Sequence, residues 1–177
     1  MPIKDKRMSI IRLKPSSQHT LSSLFEDIFY RDKSGALASS ALRLYNKIRK
    51  EPGIKSSDWQ KHISEVFKAQ PVDFAENAVL KEICRKYSVN DENPKGLRGK
   101  KPYLLLIGKH SNGKLKLDEK ELSLLRRVSK WHSAVSSYYS IINKLMAIGL
   151  IDKKESSYVP SNKFINSLKS IEKTLQQ

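Results

Sequence analysis

The side chains able to make and break bonds are scattered through this 177-residue chain. The four histidines, His19, His62, His110 and His132, stand far apart, and neither a His-x-x-x-His nor a Cys-x-x-Cys spacing occurs, so no metal-ligand set is expected. Cys84, the single cysteine, lies next to an apolar helical face and reads as a small core residue rather than a nucleophile. Asp118 and Glu121 have the spacing of a helix-opening capping box more than that of an acid-base pair. The seven glycines form neither a Gly-x-Gly-x-x-Gly nor a Walker pattern that would cradle phosphate. The expectation is a chain that is not an enzyme and carries no metal and no cofactor.

What remains is ionic and hydrogen-bonding chemistry. Lys and Arg number 34 against 18 Asp and Glu, a formal net charge of +16. A field of that sign collects polyanions, either nucleic acid or an acidic membrane surface. Residues 1–90 hold 17 basic and 10 acidic groups, and residues 91–177 hold 17 and 8, so the excess is spread along the chain. That distribution suits a body lying along a phosphate backbone better than a single lipid-binding tail. Two rows are denser: Lys4, Lys6, Arg7, Arg12 and Lys14, opposed only by Asp5, and Lys95, Arg98, Lys100, Lys101, Lys109, Lys114 and Lys116, with no acid between them. Lysine is a point charge that follows phosphate without reading bases, so the second row is expected to add affinity and no specificity.

At 38% hydrophobic residues, with two Trp, seven Tyr and five Phe, the chain can build a core. No apolar run approaches the roughly 18 residues of a membrane span, and no apolar segment of a secretory signal follows the basic N-terminus. With a lone cysteine as well, the expected setting is intracellular, cytoplasmic at the nucleoid or nuclear.

The elements that must position the basic groups follow from periodicity. Residues 1–19, with Pro2 and Pro15 and no helical period, read as a flexible basic arm. Leu21, Leu24, Phe25, Ile28 and Phe29 mark a short helix, and Leu37, Ala41, Leu44, Tyr45 and Ile48 a second one stopped by Pro52-Gly53. Ser57 and Gln60 predict a capping box for a third, striped by Trp59, Ile63, Val66 and Phe67, with His62 alongside. Pro71 predicts the first turn of a fourth, with Val72, Ala75, Val79, Ile83 and Tyr87 as its buried face. These make a helical subdomain over 20–90, followed by a basic loop or junction over 91–102. Tyr103–Ile107 and Lys114–Leu117 flank Asn112-Gly113, which predicts a β-hairpin with a tight turn. From Asp118 a helix is predicted with Leu122, Leu124, Leu125, Val128 and Trp131 inward, and Ser123, Arg126, Arg127 and Lys130 outward.

The densest stretch is Ser133 to Ser161. Ala134, Tyr138, Ile141, Leu145 and Ile148 share a core face, with Ile142 at its edge. The opposite face carries Ser136, Tyr139, Ser140, Asn143 and Ala147, flanked by Ser133 and Lys144, and holds no carboxylate. Gly149 can end the helix in the left-handed region. Leu150-Ile151 starts a strand, Asp152–Ser157 is the turn region, and Tyr158-Val159-Pro160 returns as an edge strand.

Glu121-Leu122, Val128-Ser129 and the helix ending Ile142-Asn-Lys-Leu-Met-Ala-Ile-Gly-Leu-Ile151, followed by a short basic hairpin, resemble the winged helix-turn-helix superfamily of DNA-binding domains over residues 118–160. The resemblance implies a mainly α fold with small β-hairpins, a C-terminal winged helix-turn-helix over 103–177 preceded by the helical subdomain. It places the unit's first helix at Val72–Tyr87 and the hairpin at 103–117 as an enlargement of the family's single strand, while about three or four extra residues, at Trp131-His132-Ser133, stand where the family has its sharp turn. It further implies duplex DNA as partner, with Ser136, Tyr139, Ser140 and Asn143 presented to the major groove, Ser133 and Lys144 flanking them as further DNA contacts, and Lys153 and Lys154 on the wing at phosphate or minor groove. Asn143 is the candidate for an adenine contact. Arg126, Arg127, Lys130, Lys95, Arg98, Lys100 and Lys101 complete the expected DNA-binding set. A transcription regulator or nucleoid factor is the leading class. A non-catalytic protein-interaction subunit of a replication, segregation or transcription complex and an RNA-binding protein are the alternatives. The last helix, with Phe164, Leu168, Ile171 and Leu175 on one arc, is the candidate surface for a homodimer.

Overall fold

The computed structural model describes residues 21–30, 35–51, 53–88 and 101–175. Among them the fold is mainly helical with one small antiparallel sheet, in the order α1 (Leu21–Ile28), α2 (Ala36–Lys50), β1 (Ile54–Lys55), a 3-10 turn (Ser56–Asp58), α3 (Trp59–Phe67), α4 (Phe74–Lys86), α5 (Pro102–Ser111), α6 (Glu119–Ile148), β2 (Ile151–Lys154), β3 (Ser157–Pro160) and α7 (Lys163–Leu175). No helix of the described residues is long and apolar enough to cross a membrane. The described residues fall into two compact units, one drawn from Met1–Phe67 and Ser137–Gln177, the other being Lys68–Ser136. The boundaries thus lie after α3 and within α6. The expected junction at 91–102 lies outside the described residues except for its last two positions.

The first unit is assembled from two stretches distant in sequence. Ile54 pairs with Tyr158 and Lys55 with Ser157, while β2 and β3 form a hairpin from Ile151↔Pro160 to Lys154↔Ser157. The sheet order is therefore β1-β3-β2. Two expectations change here. The hairpin turn is only Glu155-Ser156, with Glu155 at φ 52°, and β3 is the central strand rather than an edge. Pro160 is tolerated because it ends β3 beyond the reach of β1, where no ladder N–H is required. Beneath the sheet, Ile141, Leu145, Ile148 and Tyr138 of α6 are fully buried, as their common face predicts, along with Ile63 of α3 and Leu44 and Ile48 of α2. Two hydrogen bonds end α6, from Gly149 N to the Met146 carbonyl and from Leu150 N to the Leu145 carbonyl, the paired bonds of a Schellman cap, with Gly149 at φ 81°.

In the second unit, Ile83, Cys84, Tyr103, Leu106, Leu117, Leu125 and Val128 form a core. The predicted β-hairpin at 103–117 is not there: Pro102 occupies the first turn of α5, which runs to Ser111. Asn112-Gly113 closes this helix instead, with Gly113 N bonded to the His110 carbonyl, Lys114 N to the Lys109 carbonyl, and Gly113 at φ 69°. A tight hairpin turn and a Schellman cap both need a residue at positive φ, and the leucine run supplies the helix.

Helix α4 begins at Phe74, three residues after Pro71, with Asp73 and Glu76 forming a capping box. Only Ile83 and Cys84 of α4 are buried, while Ala75 and Val79 of the predicted inner face are exposed. Asp118 and Glu121 do form the expected box at the start of α6 (Glu121 N to Asp118 Oδ1, 2.8 Å; Asp118 N to Glu121 Oε2, 3.1 Å). Ser57 and Gln60 do not: a 3-10 turn precedes α3 and no side-chain cap bond forms. The expected turn at Trp131-His132-Ser133 is absent as well, because α6 is continuous for 30 residues.

Candidate nucleic-acid interface

On α6 the residues expected to meet a ligand are the exposed ones. Ser133, Ser136, Tyr139, Ser140, Asn143 and Ala147 all lie at the surface, and Tyr139 keeps 42% of its area exposed. Their 3- and 4-residue spacing is the helical repeat, so the core face and this face are two sides of one pattern.

Tyr139 is not a loose side chain. Its ring lies 6.2 Å from Trp59, the first residue of α3, and 5.3 Å edge-on from Tyr138. Tyr138 is fully buried and hydrogen-bonded to His62 Nδ1 at 3.1 Å. Burial pushes the Tyr138 phenol above its ordinary range and, with the nearby Lys47 ammonium, holds His62 below its own, so both are neutral inside the unit.

Lys144 departs from its expected place on the reading face. It is half-buried, with its ammonium 5.1 Å from the centre of the Phe29 ring and 5.9 Å from that of Tyr30, cation–π contacts that draw it toward the end of α1. Lys153 and Lys154 are exposed on β2, and neither forms an ion pair among the described residues. The base of their hairpin is fixed, since Asp152 accepts from Lys163 Nζ (2.7 Å) and Ser161 Oγ (2.9 Å). These bonds, that to Lys163 foremost, hold the Asp152 carboxyl below its ordinary range. Just after β1, Ser56 at the start of the 3-10 turn donates its N–H to the Ser156 carbonyl at 2.6 Å, which tethers the hairpin tip.

In the second unit Arg126 and Lys130 are exposed on α6, as expected. Arg127 is a correction. It is half-buried, ion-paired with Glu76 and donating to the Pro71 carbonyl, so it locks the start of α4 instead of offering a free cation. Lys101 is exposed beside His132 Nδ1 (3.4 Å), and His132 stacks on Tyr103 at 5.5 Å. Burial and the Lys101 charge lower the His132 pKa. Lys95, Arg98 and Lys100, and the arm at 1–19, lie outside the described residues.

Sequence reasoning missed the two-residue strand β1 and the bracing of Tyr139 by Trp59, which it assigned to the core. It also placed Phe164 on an association surface, yet Phe164 is buried at 4% within its own chain, because its amide bonds the Gly149 carbonyl and seats α7 against the end of α6. Ile165 (47% exposed) and Leu168 (36%) are the apolar residues at the surface of α7, and the side chains of Ile171 and Leu175 lie outside the described set. Among the described residues no cluster of His, Cys, Asp and Glu could hold a metal ion. No family model, curated protein or solved structure matches the chain.

Proposed function

We propose that the chain is a non-catalytic duplex-DNA-binding protein whose first unit is a winged helix interrupted in sequence. The reading takes α2, β1 and α3 as the helix-strand-helix half, the last three turns of α6 as the recognition helix, and β2-β3 as the wing, with Lys68–Ser136 inserted between the halves. The supporting observation is the sheet order β1-β3-β2 immediately after an acid-free exposed helix face, with two exposed lysines on the hairpin. A helix followed by a basic hairpin suits a major groove flanked by phosphates. The first helix and strand of the unit are then α2 and β1, in place of Val72–Tyr87 and 103–117.

Binding to random duplex DNA, single-stranded DNA and RNA over a salt series tests this. Duplex should win, with affinity falling steeply as salt rises. A preference for single strands or RNA, or binding of none of the three, would overturn it.

One observation favours a protein-docking role for the second unit. Phe74 is 91% exposed and Val79 45% exposed on α4, an apolar pair at the surface of the described residues. Loss of a partner on Phe74→Ser, with duplex affinity unchanged, would assign that unit to assembly.

A further inference from the structure

The recognition face has a composition that selects among base pairs. Between Lys130 and Ile148 the chain contains one Lys and no Arg, and that Lys144 is held over the Phe29 and Tyr30 rings. Guanine offers two acceptors, N7 and O6, to the major groove, and its usual partner is a forked or ammonium cation. The face has none. Its exposed groups at i, i+4 and i+8 are Tyr139, Asn143 and Ala147: ring, amide and methyl.

An amide can accept from adenine N6–H and donate to N7 at once, whereas apolar groups suit the C5-methyl of thymine. Four residues of helix rise about 6 Å, close to two base-pair steps of about 3.4 Å. The three side chains can therefore address positions two base pairs apart along a short A·T run. Tyr139 is also pre-positioned, with Trp59 at 6.2 Å on one side and the edge of Tyr138 at 5.3 Å on another, so little side-chain freedom is lost when it meets a methyl.

We infer that α6 reads A·T base pairs through the major groove, Asn143 taking adenine, Tyr139 and Ala147 taking thymine methyls, and Trp59 acting as the positioning residue for Tyr139. This rests on the duplex-binding reading above and deepens it to a class of site. Ser140, exposed beside the row, can serve phosphate or either base.

The test compares short duplexes of one length with the intact protein: an A·T-rich one, its G·C counterpart, and three modified versions of the first. Replacing thymine by uracil deletes only the major-groove methyl. Replacing adenine by 7-deaza-adenine deletes only N7. Inosine·cytosine pairs look like A·T in the minor groove and like G·C in the major groove.

The A·T duplex should bind about tenfold or more tighter than G·C, with inosine·cytosine as weak as G·C. Uracil should weaken the unaltered protein several-fold and weaken Tyr139→Ala markedly less, leaving only the part read by Ala147, while 7-deaza-adenine should weaken it and leave Asn143→Ala unaffected. Trp59→Ala should reduce the methyl effect as far as Tyr139→Ala does, and Trp59→Phe should keep it. Circular dichroism of each variant checks that the fold is retained.

Inosine·cytosine binding as tightly as A·T would move the readout to the minor groove and overturn the inference, as would equal affinity for A·T and G·C. Both results leave duplex binding standing. Failure to bind any duplex at low salt would remove the duplex reading and this one together.

Discussion

His62 Nδ1 and the Tyr138 hydroxyl meet at 3.1 Å in the interior of the first unit, joining α3 to the C-terminal half of α6 through a buried polar contact. Each group would be left unsatisfied without the other. Tyr138→Phe removes one partner and keeps the shape, so a loss of about 1–3 kcal/mol is expected. Urea unfolding of the two proteins measures it, and a variant as stable as the original would refute the assignment.

The same contact sets a pH dependence. His62 is lowered below its ordinary value of 6.5 chiefly by burial, with Lys47 and Lys61 acting in the same sense and Asp58 and Glu65 opposing. The unfolded chain therefore takes up the proton first as pH falls. Stability is complete above about 6.5 and declines progressively below it. His132 is shifted in the same direction, so Tm against pH should be recorded for His62→Gln in a His132→Gln background. A slope between pH 5 and 6.5 unchanged by His62→Gln would locate the linkage elsewhere.

Glu121 gathers three donors: Lys86 Nζ at 2.6 Å, the Tyr87 hydroxyl at 2.8 Å and the Asp118 amide at 3.1 Å. The Lys86 bond, ahead of the others, holds the carboxyl below its ordinary value of 4.5. The stabilisation is present above that value and is lost as pH falls through the depressed folded pKa. Glu121→Ala should cost about 1–2 kcal/mol, most of it from the cap and the tyrosine contact, since Lys86 is solvent-screened. Acid titration followed by circular dichroism should show a later onset of unfolding in the original protein than in the variant.

Two glycines at similar φ should respond differently to alanine. At Gly149 (φ 81°) a Cβ would approach Lys163 Cβ to 2.8 Å and the Phe164 amide to 3.1 Å, whereas at Gly113 (φ 69°) nothing lies within 4 Å. Gly113→Ala carries only the left-handed penalty of about 1–2 kcal/mol, and Gly149→Ala adds displacement of α7 to it. Thermal melts that rank Gly113→Ala as the more damaging would contradict this packing.

Basic residues of the expected interface separate into two classes. Lys153→Ala with Lys154→Ala should weaken binding to every duplex and flatten log affinity against log salt by about 0.9 per lost phosphate contact, without lowering Tm. Arg127→Ala should instead lower stability by about 1 kcal/mol and leave the salt slope alone, because Arg127 already serves Glu76 and the Pro71 carbonyl. Calorimetry beside a salt titration distinguishes the two.

Much of the C-terminal stretch was legible in the chain. The buried row Tyr138, Ile141, Leu145, Ile148, the stop at Gly149 and the hairpin after it follow from local periodicity and one residue free to take positive φ. The turn expected at Trp131-His132-Ser133 failed on equally local grounds: no Gly or Pro stands between Asp118 and Gly149 to end the helix. Asn112-Gly113 misled because its conformation serves two different neighbours. Strand β1 could not be read, since two residues carry no period and their hydrogen bonds come from the far end of the chain. The candidate interface was legible as an exposed helix face. The withdrawal of Lys144 and Arg127 from it depends on tertiary partners that no spacing announces.

The pairing of Ile54 with Tyr158 joins residues about a hundred positions apart. During synthesis, α2, β1 and α3 leave the ribosome before any of the chain that completes their sheet exists. The intervening Lys68–Ser136, by contrast, holds its core cluster within its own span. Translation therefore delivers the middle of the protein ready to fold first, and the first unit forms last, by closure of a long loop. A chain arrested before β3 would expose Ile54 and Ile63 to chaperones and proteases.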